Sequence, residues 1–149
     1  MAVVRERPYA QHQFLVDLGD GVTDGADAGF AEVDSLSQWV DVIEYRNGNE
    51  RENSVRKLVG LNHVGHLTLR RGLMGSLRLY QWFNDVRNGA GGLRNVTLHL
   101  QNEDLSGVVT TWKLLRARPV RYTTGPLKAR GCDVVVEKLV LAFERLEME

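Results

Sequence analysis

Apolar and polar residues alternate in short runs along most of this chain, and alternation with a period of two is the signature of strands with one buried face. Gln13 to Leu18 places Phe14, Val16 and Leu18 on one side and Gln13 and Asp17 on the other. Phe30 to Ser35 forms a weaker run, because Glu32 and Asp34 share the face of Phe30. Trp39 to Tyr45 sets Val40, Val42 and Glu44 against Asp41, Ile43 and Tyr45. His66 to Arg71 turns Leu67 and Leu69 inward and leaves His66, Thr68 and Arg70 outward. Further strands are predicted at Asn95 to Gln101, Val108 to Ala117 and Val134 to Arg145, the last with Leu139, Leu141 and Phe143 on its apolar side.

One segment has the helical period instead. Leu79, Trp82, Phe83 and Val86 fall at i, i+3, i+4 and i+7, with Arg78, Gln81 and Asp85 facing away, so a helix is predicted over 76–88 with Ser76 as its cap. Burying those four side chains contributes roughly 6–12 kcal/mol, whereas so short a helix is marginal alone in water. It therefore forms by packing on the sheet. Gly89 supplies the left-handed position that ends it, and Asn88 to Gly92 is a turn. GDGVTDGADAG, residues 19–29, is turn chemistry, and Pro119, Gly125-Pro126 and Gly131 predict an irregular basic connection between Arg118 and Gly131. Many short strands and one helix give a mainly β class, an antiparallel β-barrel or β-sandwich with one flanking α-helix.

Between Tyr45 and the strand at His66 lies a stretch that this pattern does not absorb. Arg46, Asn47, Gly48, Asn49, Glu50, Arg51, Glu52, Asn53, Arg56 and Lys57 make a polar, charged excursion where a short hairpin loop would have sufficed. The reading is a long protruding β-arm, 46–57, that binds another copy of the same protein. Residues 1–12 form a polar N-terminal arm, which Pro8 keeps from being a continuous helix.

Composition narrows the function classes. The 149 residues carry 43% hydrophobic and 26% charged positions, suited to one domain with its own core. Lys+Arg and Asp+Glu both total 19, so the balance lacks the basic excess of a general nucleic-acid binder and does nothing to keep copies apart. No apolar run approaches bilayer-spanning length, and MAVVRERPYAQHQF has no signal-peptide core. A lone Cys132 excludes an internal disulfide framework and fits synthesis in a reducing cytoplasm.

Candidate chemistry is thin. His63 and His66 are three apart on an extended segment and point to different faces, and His99 and Cys132 add no second spaced pair, so no metal site and no cofactor are read. No nucleophile elbow or metalloprotease helix occurs, and Gly89 to Gly92 leaves a helix rather than opening one, so no catalytic residues are assigned. Trp82 and Phe83 read as core. Thr68, Arg70, Thr97, His99 and Lys113 point outward and are candidates for a subunit interface or a wet lumen.

The order of segments resembles the inner tube proteins of contractile injection systems and contractile phage tails, including the haemolysin-coregulated-protein-like superfamily. QFLVDL and AGFAEVDSLS are similar to the family's first strand and its F-x-E-V-S-G-L segment. VIEYRNGNE and RKLVGLNHVGHLTLRRG resemble its V-I-E-Y-R-E-G and R-K-L-P-G-L … I-T-L-K-R-G runs, and LRLYQWFNDVRNG falls at its helix. RNVTLHLQNED, TWKLLRARPVRYTTGPLKA and CDVVVEKLVLAFERLE resemble its last three strands. The chain departs from the family at Leu58-Val59-Gly60-Leu61, where a proline is common, and at Arg116-Ala117-Arg118-Pro119, where N-A-W-P is usual.

What the resemblance implies is a tail-tube fold over 1–149, hexameric rings stacked inside a contractile sheath, and an arm that contacts the next ring. The implied partners are further copies of the chain, the sheath, baseplate and tube-terminator proteins, with effector or DNA cargo in the lumen. No specific nucleic-acid recognition and no membrane insertion are expected. The expected location is a virion or phage-tail-like particle, released after synthesis in the cytoplasm. Two alternatives stand beside the tube subunit: an initiator ring at the baseplate, and, from another class, a monomeric β-barrel that binds a small ligand or polysaccharide.

Overall fold

The computed structural model describes residues 2–23, 25 and 28–149. Asp24, Ala26 and Asp27, in the turn read at 19–29, lie outside the described residues. Its strands are β1 Phe14–Asp17, β2 Glu32–Val33, β3 Gln38–Tyr45, β4 Arg56–Val64, β5 Leu67–Gly72, β6 Arg94–Gln101, β7 Val108–Thr124, β8 Val136–Ala142 and β9 Arg145–Met148, with helix α1 Arg78–Arg87 between β5 and β6. Seven strands form one antiparallel sheet in the order β1-β6-β7-β8-β5-β2, with β9 also on β7, and β3 and β4 form a separate two-stranded ribbon.

The sheet doubles over at β7. The first half of this 17-residue strand pairs with β6 and β9, and the second half pairs with β8. The turn from one layer to the other is made at a bulge, where the β6–β7 ladder shifts between Arg94 and Val96. Arg116 sits there at φ 54, a left-handed conformation rare for a side-chain-bearing residue. Asn95 Oδ1 accepts its backbone N–H at 3.1 Å, and Glu144 pairs with its guanidinium. The same bend interrupts the facing strand at Phe143 and Glu144, so the single strand expected over Val134 to Arg145 is two, β8 and β9.

The connection expected from Arg118 is likewise strand as far as Thr124. Pro119 is tolerated because β6 has ended opposite Ala117, leaving β7 only one strand neighbour at that point. At the other weak prediction, Phe30 to Ser35, the acidic face leaves only Glu32–Val33 as strand.

Alternating residues of both layers meet in one core. Val16, Val96, Leu98, Leu114 and Leu146 come from the first layer, and Leu67, Leu69, Leu139 and Leu141 from the second. Helix α1 closes one end by packing on β7. Leu79 and Trp82 are buried, while Phe83 and Val86 pack at the margin. Ring contacts of Tyr122 with Tyr80 (5.8 Å) and Phe83 (6.5 Å) hold the helix down. Its cap is Leu77, not Ser76, whose Oγ accepts from Arg78 N at 3.4 Å. Gly89, at φ 79, donates to Val86 O while Ala90 donates to Asp85 O, the pair of bonds of a left-handed glycine stop.

Two charges lie inside this core. Arg71 and Glu137 are each 1% exposed, are cross-strand neighbours in the β5–β8 ladder, and form an ion pair. Tyr122 donates to the other carboxylate oxygen at 2.5 Å. Burial, reinforced by that bond, pushes the Tyr122 phenol up to about 12. A one-residue slip of β5 on β8 would turn Arg71 to the outer face together with Leu67 and Leu69 and leave Glu137 buried apart from it, so the pair and the apolar face together fix the register.

The N-terminal segment lies down on the sheet. Val3 N donates to Val109 O at 2.8 Å, and Arg5 clasps Glu103 at 2.6 and 3.0 Å while covering the Tyr9 ring. Ala10 N donates to the same carboxylate at 3.1 Å.

Two outcomes are expected. Glu137→Gln removes the carboxylate from Arg71 and should destabilise the fold by about 3–5 kcal/mol in urea unfolding, whereas the double change Arg71→Met with Glu137→Leu should recover most of that loss. The Arg5 hydrogen bond, followed by backbone N–H groups, lowers the Glu103 carboxyl from its ordinary 4.5 to about 2. Because the folded value lies below the unfolded one, the clasp contributes fully above the ordinary value and is lost as pH falls through about 2. Carboxyl NMR should therefore place the Glu103 midpoint at about 2, and Arg5→Ala should return it towards 4.5.

Candidate assembly surface

The arm is longer than its polar residues suggest. Strands β3 and β4 pair from Gln38↔Val64 to Tyr45↔Arg56, so Arg56 and Lys57 belong to the stem and only 46–55 forms the tip. Arg46 gathers that tip by donating to Glu52 O (3.0 Å) and Glu50 O (2.9 Å), and Glu50 N closes a turn onto Asn47 O (3.2 Å). Tyr45 donates its hydroxyl to Asn47, and Arg56 lies 3.0 Å from the Glu50 carboxylate. Gly48, Asn49, Arg51, Glu52 and Asn53 are exposed at the far end.

The stem is apolar and open to solvent. Val59 is 77% exposed and Leu61 72%, and Val40, Val42, Ile43, Tyr45 and Leu58 are about half exposed. A two-stranded ribbon has no second layer to cover it, and here both faces are left bare. At the base Trp39 stacks on His63 at 5.4 Å, and Asp41 holds the His63 Nε2 at 2.7 Å. A bulge opposite Asp41 brings the two backbones close at Gly60, where an added Cβ would lie 3.0 Å from the Asp41 Cβ. A side chain at that crossing would have to displace Asp41 by a few tenths of an ångström, next to Val59, where the resembled family often has a proline.

The five outward residues do not form one site. Thr97, His99 and Lys113 share the outer face of the first layer, with Thr97 opposite Lys113 and His99 sharing a 3.0 Å hydrogen bond with Thr111. Lys113 pairs with Glu149 at 2.6 Å. Thr68 and Arg70 lie on the outer face of the other layer, alternating with buried Leu67, Leu69 and Arg71. Arg70 there reaches Glu32 (3.0 Å) and Asp34 (3.5 Å).

The doubled sheet has an open seam. The sheet ends at β1 on one side and at β2 on the other, and among the described residues no strand pairs with either outer edge. Between the edges runs a groove of about 830 Å³, floored by Phe14, Leu98, Leu100 and Trp112 and walled by Val33 and Leu36. Periodicity assigned Phe14, Leu98 and Leu100 inward; it carried no signal of where the two layers stop.

Comparisons with known proteins agree with this geometry. The family model for the T4-like virus tail tube protein gp19 matches residues 10–147. A chain of the anti-feeding prophage baseplate is 32% identical over 97% of both chains, with a TM-score of 0.82. A chain of the extended sheath-tube complex of an extracellular contractile injection system, PVC, is 27% identical over 97% of this chain and 93% of its own, at 0.85. Hcp1 from Flavobacterium johnsoniae, at 12% identity, 91% and 93% coverage and a TM-score of 0.54, shares the fold alone. Curated protein sequences yield no match. A mainly β sheet with one flanking helix, an arm bare on both faces and a family match across nearly the whole chain lead to one conclusion: this protein belongs to the T4-like virus tail tube family, whose members are structural components of contractile tails and injection systems.

Proposed function

We propose that the protein is a structural subunit of the inner tube of a contractile injection system or contractile phage tail, with 1–149 as one tail-tube domain. Hexameric rings of this chain stack into a conduit for effector or DNA. The observation that carries the reading is the β3–β4 arm, whose apolar stem is exposed on both faces. An isolated monomer gains nothing from such an element, and a specific contact needs more than about 1,000 Å² of buried surface. Tube copies, a sheath, baseplate proteins and a tube terminator are the proposed partners, as the related structures of sheath-tube, baseplate and terminator complexes support. The particle, assembled from protein made in the cytoplasm, is the proposed location. Outward residues Thr97, His99 and Lys113, with Thr68 and Arg70, serve as lumen or interface positions.

A second reading within the same machine is the initiator ring, favoured by the 32% identity to a baseplate chain. The two differ in behaviour: a shaft subunit polymerises alone, whereas an initiator co-purifies with a baseplate component and does not.

Negative-stain electron microscopy of the purified protein should show rings or tubes, and a monomer that persists at every concentration would defeat the proposal. Deleting Asn47 to Asn53 removes tip residues that bury little apolar surface, so unfolding free energy should change by less than about 1 kcal/mol while ring stacking is abolished. Long tubes from that variant would rule out an inter-ring role for the tip. Val59→Asp with Leu61→Asp, placed on the bare stem, should have the same two effects.

A further inference from the structure

Two Asn-Gly steps occur in the chain, Asn47-Gly48 at the arm tip and Asn88-Gly89 behind the helix. Glycine after asparagine lets the following backbone nitrogen attack the side-chain amide, because no Cβ blocks the approach and the backbone is free to adopt the dihedrals that ring closure needs. We infer that Asn47 is a site of spontaneous deamidation, that the Tyr45 hydroxyl promotes the reaction, and that the fold protects Asn88. The chemistry needs no second copy, so it stands apart from the assembly reading above.

Exposure alone would rank the two sites the other way, since Asn88 is exposed and Asn47 half-buried. Backbone hydrogen bonding reverses that order. At Asn88 the nucleophile is held: Gly89 N donates to Val86 O at 3.1 Å, in the left-handed conformation, φ 79, that stops the helix, and Asn88 N donates to Asn84 O at 3.0 Å. Releasing Gly89 N means undoing the helix stop. At the arm tip the turn bond runs from Glu50 N to Asn47 O, and among the described residues Gly48 N donates to no group. Gly48 is exposed, and a Cβ added to it would meet nothing within 4 Å, so solvent base reaches this N–H. Tyr45 donates its hydroxyl to Asn47 Oδ1. That sets a proton donor on the oxygen where negative charge develops as Cγ becomes tetrahedral.

In the first step Gly48 N loses its proton to solvent base and forms a bond to Asn47 Cγ. The Cγ–Nδ2 bond then breaks, and Nδ2 leaves as ammonia with a proton returned by solvent. One water opens the resulting five-membered imide. Attack at Cγ yields aspartate, and attack at the Asn47 backbone carbonyl yields isoaspartate, in which the main chain runs through Cγ. Overall, amide and water become carboxylate and ammonium, and no oxidant, cofactor or enzyme is consumed. Either product alters the arm tip. Segment 46–57 carries Arg46, Arg51, Arg56 and Lys57 against Glu50 and Glu52, and its net charge falls from +2 to +1. Isoaspartate also lengthens the backbone inside the turn that Glu50 N closes onto Asn47 O.

The test incubates the full chain at mildly alkaline pH, folded and in urea, and follows both sites by peptide mapping with fragmentation that separates aspartate from isoaspartate. In the folded chain Asn47 should convert at least about tenfold faster than Asn88, the ratio that one retained backbone hydrogen bond sustains, and in urea the two rates should converge. Equal rates in the folded chain, Asn88 ahead of Asn47, or no conversion at Asn47 overturns the site. A ratio that persists in urea overturns the protection of Asn88 by the fold. Tyr45→Phe keeps the ring and removes the donor, so Asn47 should convert about threefold or more slowly, and an unchanged or raised rate overturns the hydroxyl's part. Gly48 lies outside the left-handed region with open space around it, so Gly48→Ala should leave the urea midpoint unchanged and largely abolish conversion. Undiminished conversion in that variant overturns attack by the backbone nitrogen in favour of direct hydrolysis by water.

Discussion

A β-sheet has two edges whose backbone groups need partners and two faces of which at least one must be covered. This chain covers one face internally and leaves the edges unfinished. Folding the sheet over at β7 brings Val16, Val96, Leu98 and Leu114 against Leu67, Leu69, Leu139 and Leu141 and buries them in one cluster. The fold-over depends on a bulge at Arg116 held by Asn95 and Glu144, and on a register locked by the buried Arg71–Glu137 pair. Everything else in the architecture follows from where that doubled sheet stops.

It stops at β1 and β2, which face each other across a groove rather than pairing. Isolated sheets with open edges risk indiscriminate pairing, and proteins blunt such edges with short strands, charged side chains, bulges or a covering segment. The apolar, solvent-exposed hairpin is a matching excess on the other side of the account: surface that one copy cannot bury. An open sheet edge and an apolar ribbon without a cover are the features that an aggregation-prone surface also has. The N-terminal strap, clasped by Arg5 onto Glu103, sets Tyr9 and Ala10 along the groove and so shapes its mouth.

Much of the core was legible from alternation alone. Leu67 and Leu69, Val96 and Leu98, Leu139 and Leu141 are buried where a period of two placed them, and the helical period of Leu79, Trp82, Phe83 and Val86 found α1. The arm was legible as an anomaly, a polar stretch too long for a turn. Its true extent was not, because LVGLNHV over 58–64 belongs to a strand exposed on both faces and therefore has no alternation to read. Arg71 sits on the core face of β5 two residues after Leu69, where a charge argues against burial until its partner, 66 positions away, is known.

The sequence by itself determined which faces of the local elements are apolar, where the helix stops, and that the chain carries a surplus polar excursion. These are short-range properties: side-chain alternation and the conformational freedom of Gly89 act over a few residues. Only the tertiary structure decided that β7 runs on through Pro119, that Glu137 neutralises Arg71 within the core, and that the sheet ends with a seam open between β1 and β2. Those outcomes depend on which strands become neighbours, and pairing between distant segments leaves no periodic trace in the residues that take part.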